Sequence, residues 1–136
     1  MKAATALWLA IAFCGWAAET QDRAAIERLI GALNDALAGD PARSGQAMAS
    51  LFTPDADNDL PELMADRPWS EMTAPHIAIH SVRFVTADVA LIDGASTQFG
   101  SAIMVRRMPL FLLVKKQPEG WRIVSLRLRA QSRVPR

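Results

Sequence analysis

The chain has 136 residues, 51% of them apolar and 21% charged, which fits one soluble domain with a buried core and excludes a disordered or fibrous polypeptide. A formal net charge of +1 gives the molecule as a whole no electrostatic drive toward nucleic acid. The charge is nevertheless polarised: Glu19 to Glu71 holds 11 acidic and 4 basic residues, Arg83 to Arg136 only 3 acidic and 10 basic. The two halves are therefore expected to pack with complementary fields, and the basic strands are also able to dock an anion.

Met1-Lys2 supplies a positive charge, and Ala3 through Phe13 is apolar apart from Thr5. Gly15, Ala17 and Ala18 then precede polar Glu19, the pattern of a secretory signal peptide cleaved after Ala17 or Ala18. Ala3 to Ala18 is shorter than the roughly 20 residues a spanning helix needs, so no stable membrane anchor is expected. Bulky Phe13 before Cys14 argues against lipidation. Because Cys14 is the only cysteine, a mature domain starting near Glu19 would have no thiol, disulfide or cysteine metal site. The expected division is residues 1–18 as signal, 19–130 as one domain and 131–136 as a basic tail, with a periplasmic or secreted location.

Beyond the signal, Ile26, Leu29, Ile30, Leu33 and Leu37 recur at intervals of three and four, predicting a first amphipathic helix. Gly39 is placed to take a left-handed C-terminal position, and Asp40-Pro41 stops the helix. A second helix is expected from Ser44, carrying Met48, Leu51 and Phe52 to the core and ending at Pro54. Leu51 to Leu60 then reads as an acidic turn leading into an extended segment. Pro61, Pro68 and Pro75 limit any third helix to a short one, with Trp69 and Met72 as its apolar anchors.

From His76 onward the pattern is of strands: His76 to Val85, Asp88 to Phe99, Ile103 to Lys116 and Trp121 to Arg129, the last two joined by a turn at Pro118-Glu119-Gly120. In the final strand Val124, Leu126 and Leu128 are assigned to one face, and Ile123, Ser125, Arg127 and Arg129 to the other. Helices followed by four antiparallel strands predict an α+β fold.

Four segments carry a resemblance: Ala32-Leu33-Asn34-Asp35-Ala36-Leu37-Ala38-Gly39-Asp40, Leu51-Phe52-Thr53-Pro54-Asp55-Ala56, Asp88-Val89-Ala90-Leu91-Ile92-Asp93-Gly94 and Gly120-Trp121-Arg122-Ile123-Val124. In this order they resemble the nuclear-transport-factor-2-like superfamily, and within it the SnoaL-like (SgcJ/EcaC-like) group. The resemblance spans about residues 22–130. It implies a cone-shaped, curved antiparallel sheet wrapped around two N-terminal helices, here with a shortened third helix. It also implies a pocket that serves isomerases, cyclases, dehydratases and plain binding proteins alike. None of the four segments is a catalytic motif.

Enzymes of that superfamily use carboxylates, tyrosines and histidines inside the cone. The steroid-isomerase branch places an aspartate just before a proline, whereas here Leu60 precedes Pro61 and Asp59 is one step off, which on a strand is the opposite face. There is no tyrosine in the chain. Asp55, Asp57 and Asp59 mimic the start of a calcium loop, but Leu60 stands where its glycine belongs and Asp66 where its glutamate belongs. His76 and His80 share a strand and lie about 13 Å apart, too far for one zinc ion. No metal site and no cofactor are expected.

The candidates that remain are Asp59 and His80 as acid and base, and Trp69 and Arg127 as ligand contacts. Each has a plainer role: helix-end chemistry for Asp59, a rim hydrogen bond for His80, core packing for Trp69 and an ion pair with an N-terminal acid for Arg127. Trp121 is expected to pack the sheet onto the first helix. The sequence thus predicts an exported module that binds a small apolar or amphipathic ligand and dimerises through its exposed sheet face. The alternative is a small proton-transfer enzyme of isomerase, cyclase or dehydratase type using the Asp/His pair.

Overall fold

The computed structural model describes residues 3–65, 72–100 and 105–129. Three helices, α1 (Ala3–Ala38), α2 (Pro41–Ala49) and α3 (Leu60–Ala65), accompany five strands: β1 (Phe52–Asn58), β2 (His76–Thr86), β3 (Val89–Phe99), β4 (Val105–Gln117) and β5 (Gly120–Leu128). The strands form one sheet in the order β1-β5-β4-β3-β2. The architecture is α+β, with the helices on the inner face of a curved, unclosed sheet and a third helix only six residues long. Among the described residues no helix is long and apolar enough to cross a membrane.

The apolar stripe of α1 is buried as its spacing requires: Ile26, Leu29, Ile30, Leu33 and Leu37 all lie in the core. Against them pack Ala90 and Ile92 of β3, Leu110, Leu112 and Val114 of β4, and Trp121, Ile123 and Leu126 of β5. Trp121 does tie the sheet to α1. Its ring meets Phe84 edge-on at 6.1 Å, and its indole Nε1 donates to Asp22 Oδ1 at 3.2 Å. Lys116 Nζ reaches the same carboxylate oxygen at 3.0 Å. Arg127 pairs with Asp57 and Asp59, so basic C-terminal strands meet acidic N-terminal elements as the charge distribution predicts.

Asn34 on α1 grips the free edge of β2. Its Nδ2 donates to the Ile77 carbonyl at 2.9 Å, and its Oδ1 accepts from the Ile77 N–H at 2.7 Å. One side-chain amide thus mimics a neighbouring strand, satisfying both outward backbone groups of a buried residue.

Several local expectations need correction. Gly39 does not adopt a left-handed conformation; among the described residues it is Gly120, in the β4–β5 hairpin, that has a positive φ, +128°. The helix α2 begins at Pro41 rather than near Ser44, because Asp40 caps it by accepting from the Ala42 N–H at 3.1 Å and Pro41 suits a first helical position. Phe52 and Pro54 do not belong to that helix. They lie in β1, which pairs parallel to β5, so the sheet is not wholly antiparallel. Pro54 is tolerated because β1 is an edge strand.

The faces of β5 also differ from strict alternation. Register passes from Leu113↔Ser125 to Val114↔Ile123, leaving Val124 as an extra residue. This bulge puts Trp121, Ile123, Leu126 and Leu128 together toward the core. Ser125 and Arg127 remain on the outer face. A second bulge places His80 between the pairs Ile79↔Gly94 and Ser81↔Asp93. Gly94 sits beneath it, so close that a Cβ there would lie 2.4 Å from the Ala78 carbonyl oxygen.

Candidate functional site

The pairing of β1 with β5 is irregular between Phe52 and Asp57, so its side chains do not simply alternate: Phe52, Thr53, Ala56 and Asn58 are half-buried, and Pro54, Asp55 and Asp57 are exposed. Phe52, Thr53, Pro54, Ala56 and Asn58 border a cleft of about 510 Å³. Its other walls are Gly45, Met48 and Ala49, one turn of α2, and Leu60, Pro61 and Met64 of α3. The walls are apolar with two polar exceptions. Asn58 Oδ1 accepts from the Leu60 N–H at 3.2 Å, and its Nδ2 has no partner among the described residues. Thr53 has a buried hydroxyl with no partner among those residues either.

Asp59 does not face this cleft. Its N–H donates to the Leu126 carbonyl at 2.9 Å, and its carbonyl accepts from the Leu63 N–H at 2.9 Å, opening α3. Its carboxylate takes Arg127 Nη1 at 3.1 Å on Oδ1 and the Leu128 N–H at 3.0 Å on Oδ2. Both oxygens are thus held on the β5 side, where they fasten the end of β1 to the last strand. Arg127 also contacts Asp57 through Nη2, in the plainer of its two expected roles.

His80 lies on β2, the opposite edge strand from β1. Its Nε2 is 3.3 Å from Arg107 Nη2, which can only donate, on an exposed surface. About 19 Å of sheet, four strand spacings, separates the two edges. The fold therefore joins Asp59 to Arg127 and does not assemble Asp59 with His80. His76 occupies the exposed start of β2. Trp69 lies outside the described residues. Among those residues no group of three or more His, Cys, Asp or Glu side chains could hold a metal ion.

Two inner-face residues escaped the sequence reading. Ser96 and Gln98 on β3 are each only 1% exposed. Gln98 Nε2 donates to the Thr73 carbonyl at 3.3 Å, while the Ser96 hydroxyl has no partner among the described residues. Arg106 stands opposite Gln98 in register, adding a cation to this polar patch. The strict alternation Ala90, Ile92, Gly94, Ser96, Gln98 was the available signal, since it assigns the two polar residues to the apolar face.

No protein-family model matches the sequence, and no curated protein is significantly similar to it. Solved structures do match. Hexachlorocyclohexane dehydrochlorinase LinA-type3 from Novosphingobium barchaimii aligns over 83% of this chain and 90% of its own, with TM-score 0.59 and 16% identity. A protein of unknown function from Mycobacterium tuberculosis aligns over 85% and 75%, with TM-score 0.59 and 20% identity. A nuclear-transport-factor-2-like protein of unknown function from Pseudomonas putida aligns over 85% and 87%, with TM-score 0.52 and 15% identity. The chain has the nuclear-transport-factor-2-like fold.

Proposed function

We propose that this chain, with its nuclear-transport-factor-2-like fold, is an exported binding protein of the SnoaL-like type for a small, neutral, mainly apolar molecule. The observation that carries this reading is the cleft walled by Met48, Phe52, Ala56, Leu60, Pro61 and Met64. Its volume lies within the roughly 300–1,000 Å³ common for small-molecule sites. Two methionines give walls that adapt to ligand shape. The Asn58 amide and the Thr53 hydroxyl orient a ligand carrying one carbonyl or hydroxyl group. Among the described residues no charged side chain borders the cleft, which favours a neutral occupant.

The outer sheet face supports a homodimer. Leu91, Phe111 and Leu113 are half-buried there in register, and no described element packs over them. Asp93, Phe111 and Arg127 follow one another across three strands, so a two-fold copy can set acid against base around an apolar centre. Export rests on the charged, apolar and small-residue succession of residues 1–18.

A proton-transfer enzyme is the second reading, and likeness in fold to a dehydrochlorinase is what favours it. It requires acid–base groups other than the Asp59/His80 pair. Native mass spectrometry of protein isolated from its own exported fraction, without refolding, tests the proposal. A dimer with a discrete added mass that Ala56→Phe abolishes is the expected result. An unliganded species, or a ligand indifferent to Ala56→Phe, refutes this cleft as the site.

A further inference from the structure

A second cleft lies across β1 from the first, between the start of that strand and the β4–β5 hairpin, with a volume of about 520 Å³. Phe52, Pro54 and Val124 form its apolar side. Its opposite side presents Lys115 of β4 and Arg122 of β5. These two cations are direct cross-strand partners, so their Cβ atoms stand about 5 Å apart on one face. Like charges in that position repel.

Elsewhere the basic strands resolve such repulsion with acids: Lys116 has Asp22, Arg127 has Asp57 and Asp59, and Arg129 has Asp93 at 3.5 Å. Lys115 has no such acid among the described residues. Among the described residues Arg122 makes a 3.4 Å bond from Nη1 to the carbonyl of its neighbour Trp121 and no ion pair. Asp55 and Glu119 also border the cleft, yet neither comes within ion-pair distance of either cation among the described contacts.

We infer that this outer cleft is a second binding site, for a small monocarboxylate with an apolar body. The guanidinium of Arg122 offers a planar fork that matches a carboxylate, and Lys115 adds a point charge beside it. Phe52, Pro54 and Val124 receive the apolar part. The two acids at the rim select for a single negative charge, because each added charge on the ligand meets their field. This site goes beyond the neutral cleft on the helix side and does not depend on it, although Phe52, Thr53 and Pro54 border both.

The test is a heteronuclear NMR titration of the full-length protein at low ionic strength with benzoate, acetate, inorganic phosphate and sodium chloride in turn. Benzoate is expected to give saturable shifts at the amides of Lys115, Arg122 and Val124, and to bind more tightly than acetate or phosphate. Lys115→Gln and Arg122→Gln remove exposed or half-exposed charges, so both variants keep the parent spectrum elsewhere. Each is expected to weaken benzoate roughly tenfold, the loss of about one charge-assisted hydrogen bond. The inference is overturned by an absence of saturable shifts, by shifts that sodium chloride reproduces, or by tighter binding of phosphate. Shifts centred on Met48 and Met64, or affinity unchanged in both variants, overturn it equally.

Discussion

Replacing Asn34 with alanine tests how the sheet edge is held. The amide makes two hydrogen bonds, 2.9 and 2.7 Å, to the carbonyl and N–H of Ile77, a residue 2% exposed. Its removal leaves two backbone groups without protein partners, at about 1–3 kcal/mol each when water cannot reach them. Asn34 is itself only half-buried, so water recovers part of that loss and the lower end applies. The better helix propensity of alanine returns about 0.6 kcal/mol. The net expectation is a loss of about 1.4 kcal/mol, or about 4–7 °C in Tm for a domain of this size. Urea denaturation measures it, and hydrogen exchange should show the Ile77 amide losing protection out of proportion to its neighbours. Asn34→Leu restores volume without the bonds and should remain destabilised. A change below about 0.5 kcal/mol in Asn34→Ala, or full recovery in Asn34→Leu, would show that packing rather than hydrogen bonding holds this edge.

Asp59→Asn keeps an acceptor for the Leu128 N–H and removes the charge facing Arg127. Because the arginine side chain is 41% exposed and retains Asp57, screening limits the loss to about 1 kcal/mol in chemical denaturation, and a ligand in the helix-side cleft stays bound. Gly94→Ala drives a methyl to 2.4 Å from the Ala78 carbonyl oxygen, so β2 must shift; about 1–3 kcal/mol should be lost, and a parent-like Tm would contradict the close approach. Phe111→Glu puts a charge at the centre of the outer sheet face and should convert a dimer to a folded monomer in light scattering. A dimer that survives it does not use that face.

Much of the fold was legible because its signals are periodic. The α1 stripe from Ile26 to Leu37, the four strands from His76 onward and the brevity of the third helix follow from spacing and prolines. The misreadings within the sheet share one cause, which is that pairing partners are decided at long range. Phe52 to Asn58 carries three acids or amides and a proline, poor local strand chemistry, yet β5 recruits it as a parallel edge. Bulges at Val124 and His80 depend on how neighbouring strands twist, so they shift the faces of β5 and β2 without a local sign. The site was legible only in fragments. Asp59 stood out among three alternate acids and Arg127 as a mid-strand cation, and they meet in an ion pair. The cleft of Met48, Phe52 and Met64 was hidden, because Met48 and Phe52 read simply as core and Met64 as part of a short helical turn.

The parallel seam between β1 and β5 also sets the order in which the molecule can be built. Its contacts join distant parts of the chain: Arg127 reaches Asp57 and Asp59 across 70 and 68 positions. A chain emerging N-terminus first holds β1 without a partner until its last strand has been synthesised. Both clefts share β1 as a wall, so neither exists in a nascent chain or in any fragment ending before Gly120. Closing so large a loop is entropically costly and slow, which makes completion of the binding surfaces the late event of folding.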